Sequence, residues 1–412
     1  MVVVSFPGAM RPAMFMVLCV AAVSGCHGAQ IQESGTGGAS GGGGLAGSLG
    51  VGGNGGGTGG TASGTAGSGA PPKMLMVVPG TGTPGIAYAR MTALEGGTAY
   101  PVVLDIYDGP NALAPLVVTK AVELSDGAAT TLSTTSEAVS LLSGESSPVA
   151  IDATYVYWFS RTIGDSALLW LRRAPKLGGT REDITGIDNT VTGAPASPVV
   201  MATGGGYVYW ASTGNGIFRC PASVGCGTGP ELVAPTTDTV MALVVHTDWL
   251  YWASATTGKV WRHGLTTPGD QMVDGGPTVG PAMTCDLAVS ADDTELWSIQ
   301  CLYPYEVRRV NVTVMSGTTI ANAPNETIDQ NAAGSLALGA DTVYFIGSDH
   351  VFSVPRTTTP TAPQLLANLM TASAVLADGV IGIDDQDVYF KGSSSGGTTG
   401  NGRAGYVLRM AR

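Results

Sequence analysis

Charge is what this sequence has least of. Lysine and arginine together number 19 in 412 residues, only 12% of the chain is charged, and no run of five basic residues occurs. Binding a phosphodiester backbone draws on clustered Lys and Arg, and a net charge of −12 opposes it, so nucleic acid is excluded as a partner. The acidic surplus serves solubility instead. Histidine is scarcer still: His27, His246, His263 and His350 are all there are. They fall at unrelated points of the pattern described below, so no pair is set up as base and nucleophile or as metal ligands. Long apolar runs are missing too. The N-terminal stretch Ala13 to Val23 is eleven residues, whereas a spanning helix needs about 20. Leu365 to Ile383 is apolar in parts, but Asn368, Asp378 and Gly379 interrupt it, which reads as two strands rather than a span. No convincing helical period occurs in the body of the chain.

What is present begins with an export signal over residues 1–26. Arg11 supplies the positive start, Ala13 to Val23 the apolar core, and Val23-Ser24-Gly25-Cys26 follows at once. That tetrapeptide resembles a lipobox. The resemblance implies that Cys26 is acylated and becomes the mature N-terminus, held to a membrane by its lipid. His27, standing where an Asp would resemble an inner-membrane retention signal, implies the outer membrane. Residues 27–73 then read as a tether, because Gly35 to Gly69 is almost wholly Gly, Ser, Thr and Ala. Such a coil has an r.m.s. span of roughly 35 Å. Gly38-Ala39-Ser40-Gly41-Gly42 matches a nucleophile elbow, and Gly55, Gly57 and Gly60 a dinucleotide loop. Neither lies between a strand and a helix, as the chemistry requires.

The remainder repeats. An apolar strand, a turn of Asp, Gly or Thr, and a paired aromatic recur as VAIDATYVYW, VVMATGGGYVYW, LVVHTDWLYW, LAVSADDTELW, LALGADTVYF and IGIDDQDVYF. The anchors are Tyr157 and Trp158, Tyr209 and Trp210, Tyr251 and Trp252, Trp297 (preceded by Leu296), Tyr344 and Phe345, and Tyr389 and Phe390. Spacings of about 42–52 residues belong to propeller blades. Third strands such as GIFRCP, KVWRHG and HVFSVP and fourth strands such as ELVAP complete the unit. The expected fold is therefore all-β: a six- or seven-bladed β-propeller of four-stranded blades. Residues 137–412 carry the clear repeats, and 74–136 read as a degenerate first blade or an accessory hairpin. The last copy ends on its third strand, so its outer strand has to come from the N-terminal side. MTALEGG (Met91–Gly97) fits for seven blades, or AVSLLSG for six.

The Tyr-Trp anchors resemble those of YWTD-type and NHL-type propellers and of myxobacterial repeat lipoproteins. Phe159-Ser160, Ala211-Ser212 and Ala253-Ser254 stand where the YWTD pattern has Thr-Asp. The resemblance implies the fold and leaves function open.

Four cysteines remain beyond Cys19 and Cys26. Cys220 and Cys226 bracket a short loop, and Cys285 and Cys301 lie on consecutive strand segments. An even count in an exported chain predicts disulfides within each pair, and neither spacing suits a zinc knuckle. Asp292-Asp293 and Asp384-Asp385-Gln386-Asp387 sit where the repeats turn, and Asp is favoured there by backbone chemistry. No metal and no cofactor are expected. The function expected is a surface-anchored, non-catalytic binding platform for a protein or glycan ligand. The alternative is a propeller lyase or hydrolase with its site at the channel mouth.

Overall fold

The computed structural model describes residues 73–76, 86–95, 98–106, 116–123, 129–134, 139–140, 149–162, 165–188, 198–212, 214–227, 229–276, 283–300, 306–322, 335–347, 350–357, 359–368, 375–383, 387–394 and 405–411. Every regular element among them is a β-strand, and no helix is long and apolar enough to cross a membrane. The export signal, Cys26 and the Gly-rich segment lie outside the described residues.

The strands form seven antiparallel sheets. Blade 1 is Ile86–Glu95, Thr98–Ile106, Leu116–Glu123 and Ala129–Thr134. In blade 2, Val139–Ser140 and Val149–Ile151 both pair with Tyr155–Thr162, followed by Asp165–Pro175 and Glu182–Asp188. Blade 3 is Pro198–Gly204, Tyr207–Ser212, Gly216–Pro221 and Glu231–Ala234. Blade 4 is Val240–His246, Trp249–Ser254, Val260–Gly264 and Asp270–Asp274. Blade 5 is Thr284–Val289, Glu295–Gln300, Glu306–Asn311 and Ser316–Asn322, and blade 6 is Ser335–Leu338, Thr342–Gly347, His350–Pro355 and Gln364–Asn368. Blade 7 takes Val375–Ile383, Asp387–Ser394 and Gly405–Ala411 from the end of the chain and Lys73–Met76 from its beginning. The first strand of each blade touches the first strands of its two neighbours, blade 7 against blade 1 included, so the sheets close into a ring. The propeller expectation holds.

Closure departs from the expected register. The strand that completes blade 7 is Lys73–Met76, paired residue for residue from Lys73 with Arg409 to Met76 with Tyr406. MTALEGG instead runs into the innermost strand of blade 1, where Glu95 pairs with Thr98 and leaves only Gly96 and Gly97 to turn the chain. A Gly-Gly pair is a hairpin-turn sequence. Taking it for the end of an outer strand displaced the whole blade.

The core lies between blades, and the two-residue period of a strand explains why. In the second strands of blades 2 to 6, successive side chains point to opposite neighbours. Tyr157 and Phe159 of blade 2 share a buried cluster with Val208 and Trp210 of blade 3. Tyr209 and Ala211 of blade 3 meet Leu250 and Trp252 of blade 4. Tyr251 and Ala253 meet Leu296 of blade 5. Trp297 and Ile299 then meet Val343 and Phe345 of blade 6, and Tyr344 and Ile346 meet Val388 of blade 7. Each Tyr-Trp pair therefore faces both ways, Tyr forward and Trp backward.

Trp297 breaks the simple alignment. It pairs with Arg309 as Tyr251 pairs with Arg262, and it faces forward, so it occupies the tyrosine position rather than the tryptophan one. The reason is the turn. Ser290 opposes Glu295 here, with Ala291 to Thr294 between, whereas blade 3 turns on Gly205 and Gly206 alone, both at positive φ. Ser298 fills the place that Trp252 holds in blade 4.

Candidate functional site

A row of side chains crosses each blade at the tryptophan position. In blade 3 it runs Trp210, Phe218, Leu232, in blade 4 Trp252, Trp261, Met272, and in blade 6 Phe345, Phe352, Leu365. The rings stack at 6.2, 6.5 and 5.4 Å. Phe390 takes the same strand position opposite Leu408, with Met74 beyond, though its side chain lies outside the described residues. Two blades carry arginine in this row. Arg172 of blade 2 lies opposite Trp158 and pairs with Asp183 at 3.1 Å. Arg308 of blade 5 lies opposite Ser298 and reaches back to blade 4, holding both oxygens of Asp274 at 2.7 and 2.9 Å. It also donates to Glu306 at 2.8 Å, and Gln300 donates to Glu306 at 3.1 Å. Asp274, Gln300, Glu306 and Arg308 are all buried. This cluster ties blade 5 to the last residue of blade 4.

A second arginine position recurs one residue on. Arg173, Arg219 and Arg262 lie over the rings of Tyr155, Tyr207 and Trp249 at 4.2, 4.4 and 4.0 Å. Their partners on the outer strands are Glu182, Glu231 and Gln271. In blades 5 and 7 the ring is replaced by an acid, and the arginine pairs with it directly: Arg309 with Glu295 at 2.6 Å and Arg409 with Asp387 at 2.6 Å. Blade 6 has Thr342 and Ser353 at the two places, losing both partners together. Burial would raise the Glu295 pKa, but hydrogen bonds from Arg309, Trp297 and Arg356 outweigh it and hold the carboxyl below its ordinary value. This repeat was visible in LRRAP, GIFRCP, KVWRHG, EVRRVN and YVLRMA, but an analysis led by aromatics passes over it.

Histidines and hydroxyls do not assemble a relay among the described residues. His246 at the end of a blade 4 inner strand and Thr247 beside it both bond the carboxylate of Asp293 in blade 5. The hydroxyl is thus spent on the acid and not on the imidazole. Thr247 has φ 45°, where a β-branched residue is strained, and Asp293 holds it there from the next blade. His263 bonds Asp270 at 2.6 Å, and His350 stacks on Phe352. Asp286 on the inner strand of blade 5 accepts from Ser335 Oγ at 2.7 Å and Leu336 N at 3.0 Å in blade 6, and from Leu287 N at 2.9 Å. Although the residue as a whole is only half-buried, enclosure of its carboxyl raises its pKa against those three bonds.

Asp292 is occupied by its own turn. It accepts from Ser290 Oγ and from the nitrogen and hydroxyl of Thr294, which lower its pKa to about 2. No group of three or more His, Cys, Asp or Glu that could hold a metal occurs among the described residues. Asp384, Asp385 and Gln386 lie outside them. Cys220 and Cys226 form a disulfide. Cys285 is disulfide-bonded as well, while its expected partner Cys301 lies outside the described residues.

The two rims of the ring differ. On one, first strands turn into second strands over short links such as Gly204–Tyr207, His246–Trp249 and Leu338–Thr342. Third strands turn into fourth strands on this same rim. The other rim carries the connections between blades and the second-to-third turns. Its links include Ile106 to Leu116, Asp188 to Pro198, Asp274 to Thr284, Asn322 to Ser335 and Ser394 to Gly405, the last two being the longest between successive strands of the ring, while on the first rim Pro221 to Glu231 and Pro355 to Gln364 are comparable to the rest. The short-turn rim bears exposed apolar tips: Leu177, fully exposed, Val224 at 82% and Val314 at 68%, with Met315 beside the last.

No protein-family model matches the sequence, and no curated protein matches it. Solved structures match the fold. A structure described as YCF48 bound to D1 peptide aligns at TM-score 0.51 and 10% identity, over 82% of this chain and 98% of that one. The WD40 β-propeller domain of Doa1 aligns at 0.50 and 11%, over 83% and 97%. A chain of the mitotic checkpoint complex aligns at 0.52 and 8%, over 82% and 91%. The fold of this chain is similar to theirs.

Proposed function

We propose that this chain is a lipid-anchored protein of the cell envelope, held by Cys26 in the outer membrane, whose propeller is a binding platform for a protein ligand. The observation that carries the platform is the asymmetry of the rims. A ring whose core is sealed between blades places the connections between blades and its two longest links, residues 323–334 and 395–404, on one side, and binding residues concentrate on loops positioned by such a scaffold. A protein is favoured over a glycan because one fold neighbour is described as bound to a peptide. The propeller-enzyme reading has less support: His246, His263 and His350 sit on separate strands, the first two on aspartates and the third on an aromatic ring.

Two measurements test the proposal. Cys26→Ala is expected to release the protein from membranes, and a variant that still fractionates with them refutes the anchor. A photocrosslinking residue at Thr237, exposed in the link between blades 3 and 4, is expected to capture the ligand in cells. The same group at Leu177 is expected not to. Capture only from Leu177 refutes the assignment of the platform to the long-loop rim.

A further inference from the structure

We infer that the short-turn rim is the side of the ring that meets the bilayer, with Leu177, Val224 and Val314 seated in its interface. This rests on the Cys26 anchor proposed above. The argument starts from the closing strand. Lys73 pairs with Arg409, just as Glu231 pairs with Arg219 and Glu182 with Arg173. Those glutamates are the first residues of outer strands, where the chain has just turned from a third strand. Lys73–Met76 therefore runs in the outer-strand direction, and its first residue stands at the short-turn rim. Any chain between Cys26 and Lys73 joins the ring on that side.

The same rim carries the apolar tips. Leu177 lies between Pro175 and Glu182 in blade 2, Val224 within the Cys220–Cys226 loop of blade 3, and Val314 between Asn311 and Ser316 in blade 5. Each stands on a constrained turn. The backbone of Gly178 bonds Pro175, that of Gly225 bonds Pro221, and that of Met315 bonds Asn311. Arg173 of blade 2 grips the carbonyls of Ala222 and Ser223 beside Val224. Exposed apolar side chains held on one rim, on turns of blades 2, 3 and 5, offer a surface that can enter an apolar phase. Here the occupant is indicated by the chain itself, because a lipid on Cys26 brings a bilayer to the side on which the tether arrives. Asp248, Asp292 and Asp341 are exposed on the same rim, which suits an uncharged lipid surface rather than an anionic one.

The test uses the lipidated protein on phosphatidylcholine vesicles. An environment-sensitive fluorophore is placed on Leu177→Cys, on Val314→Cys and, on the opposite rim, on Thr237→Cys. Flotation reports the anchor, and emission reports the rim. The expected result is that all three float, that the labels at 177 and 314 shift to the blue and resist quenching by aqueous iodide, and that the label at 237 does neither. Hydrogen exchange of the unlabelled protein is expected to slow at 176–179 and 313–315 on vesicles and to stay unchanged at 236–239. Protein that floats with all three labels equally quenched, and with no slowing at the turns, overturns the orientation and leaves the anchor standing. Protein that fails to float overturns the anchor, and the orientation with it.

Discussion

Replacing Arg308 with methionine isolates a place where blades 4 and 5 are joined by a buried ion cluster. Arg308, Asp274 and Glu306 are each no more than 5% exposed. The substitution keeps an unbranched apolar stem but removes the guanidinium and leaves two carboxylates with one cation fewer between them. Removing one partner of a buried pair costs about 3–5 kcal/mol. Against a total stability of roughly 5–15 kcal/mol, that is a large loss. A second variant separates missing charge from missing volume: Arg308→Met with Asp274→Leu and Glu306→Gln. The methionine takes the row position that Phe218, Trp261 and Phe352 hold in blades 3, 4 and 6, the leucine removes the buried acid of blade 4, and the glutamine leaves Gln300 with a partner. Well-packed apolar replacements of buried ion clusters are neutral or stabilising, so the triple variant is expected to recover most of the loss. Urea unfolding followed by tryptophan fluorescence, with disulfides kept oxidised, measures both. The reasoning is refuted if Arg308→Met lies within about 1 kcal/mol of the parent, a cost typical of an exposed pair, or if the triple variant is no more stable than the single one.

Trp252→Ala opens a cavity between blades 3 and 4 where Tyr209 and Leu250 also pack, and the expected loss is about 3–5 kcal/mol by urea unfolding. A loss below that for an exposed residue would mean that the pairing of blades does not depend on this aromatic. Deleting residues 27–72 is expected to leave the melting temperature unchanged, whereas deleting 27–76 exposes the edge of Gly405–Ala411 and lowers it with aggregation; equal melting of the two deletions would contradict the ring closure. Glu295 has a pKa lowered in the folded state, so its contribution is present above the ordinary glutamate pKa of about 4.3 and fades as pH falls through the lower folded value. Glu295→Gln should therefore be less stable than the parent at pH 7, with the gap narrowing on acidification, and a gap that is constant from neutral to acid pH would sink this assignment.

The blades were legible because strand alternation writes itself into spacing. Tyr209-Trp210 and Tyr251-Trp252 stand one repeat apart, and the Asp-, Gly- or Thr-rich turns mark where each hairpin folds. What escaped was governed by contacts between distant segments. Lys73–Met76 is four residues long and becomes a strand only because Gly405–Ala411 offers an unpaired edge. Trp297 was aligned one place out because a longer turn precedes it, and one residue of slip in a strand reverses the face. The Arg308 cluster draws its members from two blades, so no local pattern announces it. The rim tips are single apolar residues in turns, and their meaning depends on knowing which turns share a side.

The composite seventh blade also sets an order of events. Lys73–Met76 is synthesised before any of the strands that will hold it, and Gly405–Ala411 follows every other described strand of the ring. Bringing such remote segments together adds only a slowly growing entropic cost with chain length, but it cannot occur until Gly405–Ala411 has been made. Until then the ring has two unlatched ends, and non-local pairing of this kind is slow to form. A nascent chain that is unable to lock before Gly405–Ala411 appears keeps an open ring throughout the synthesis of the blades between.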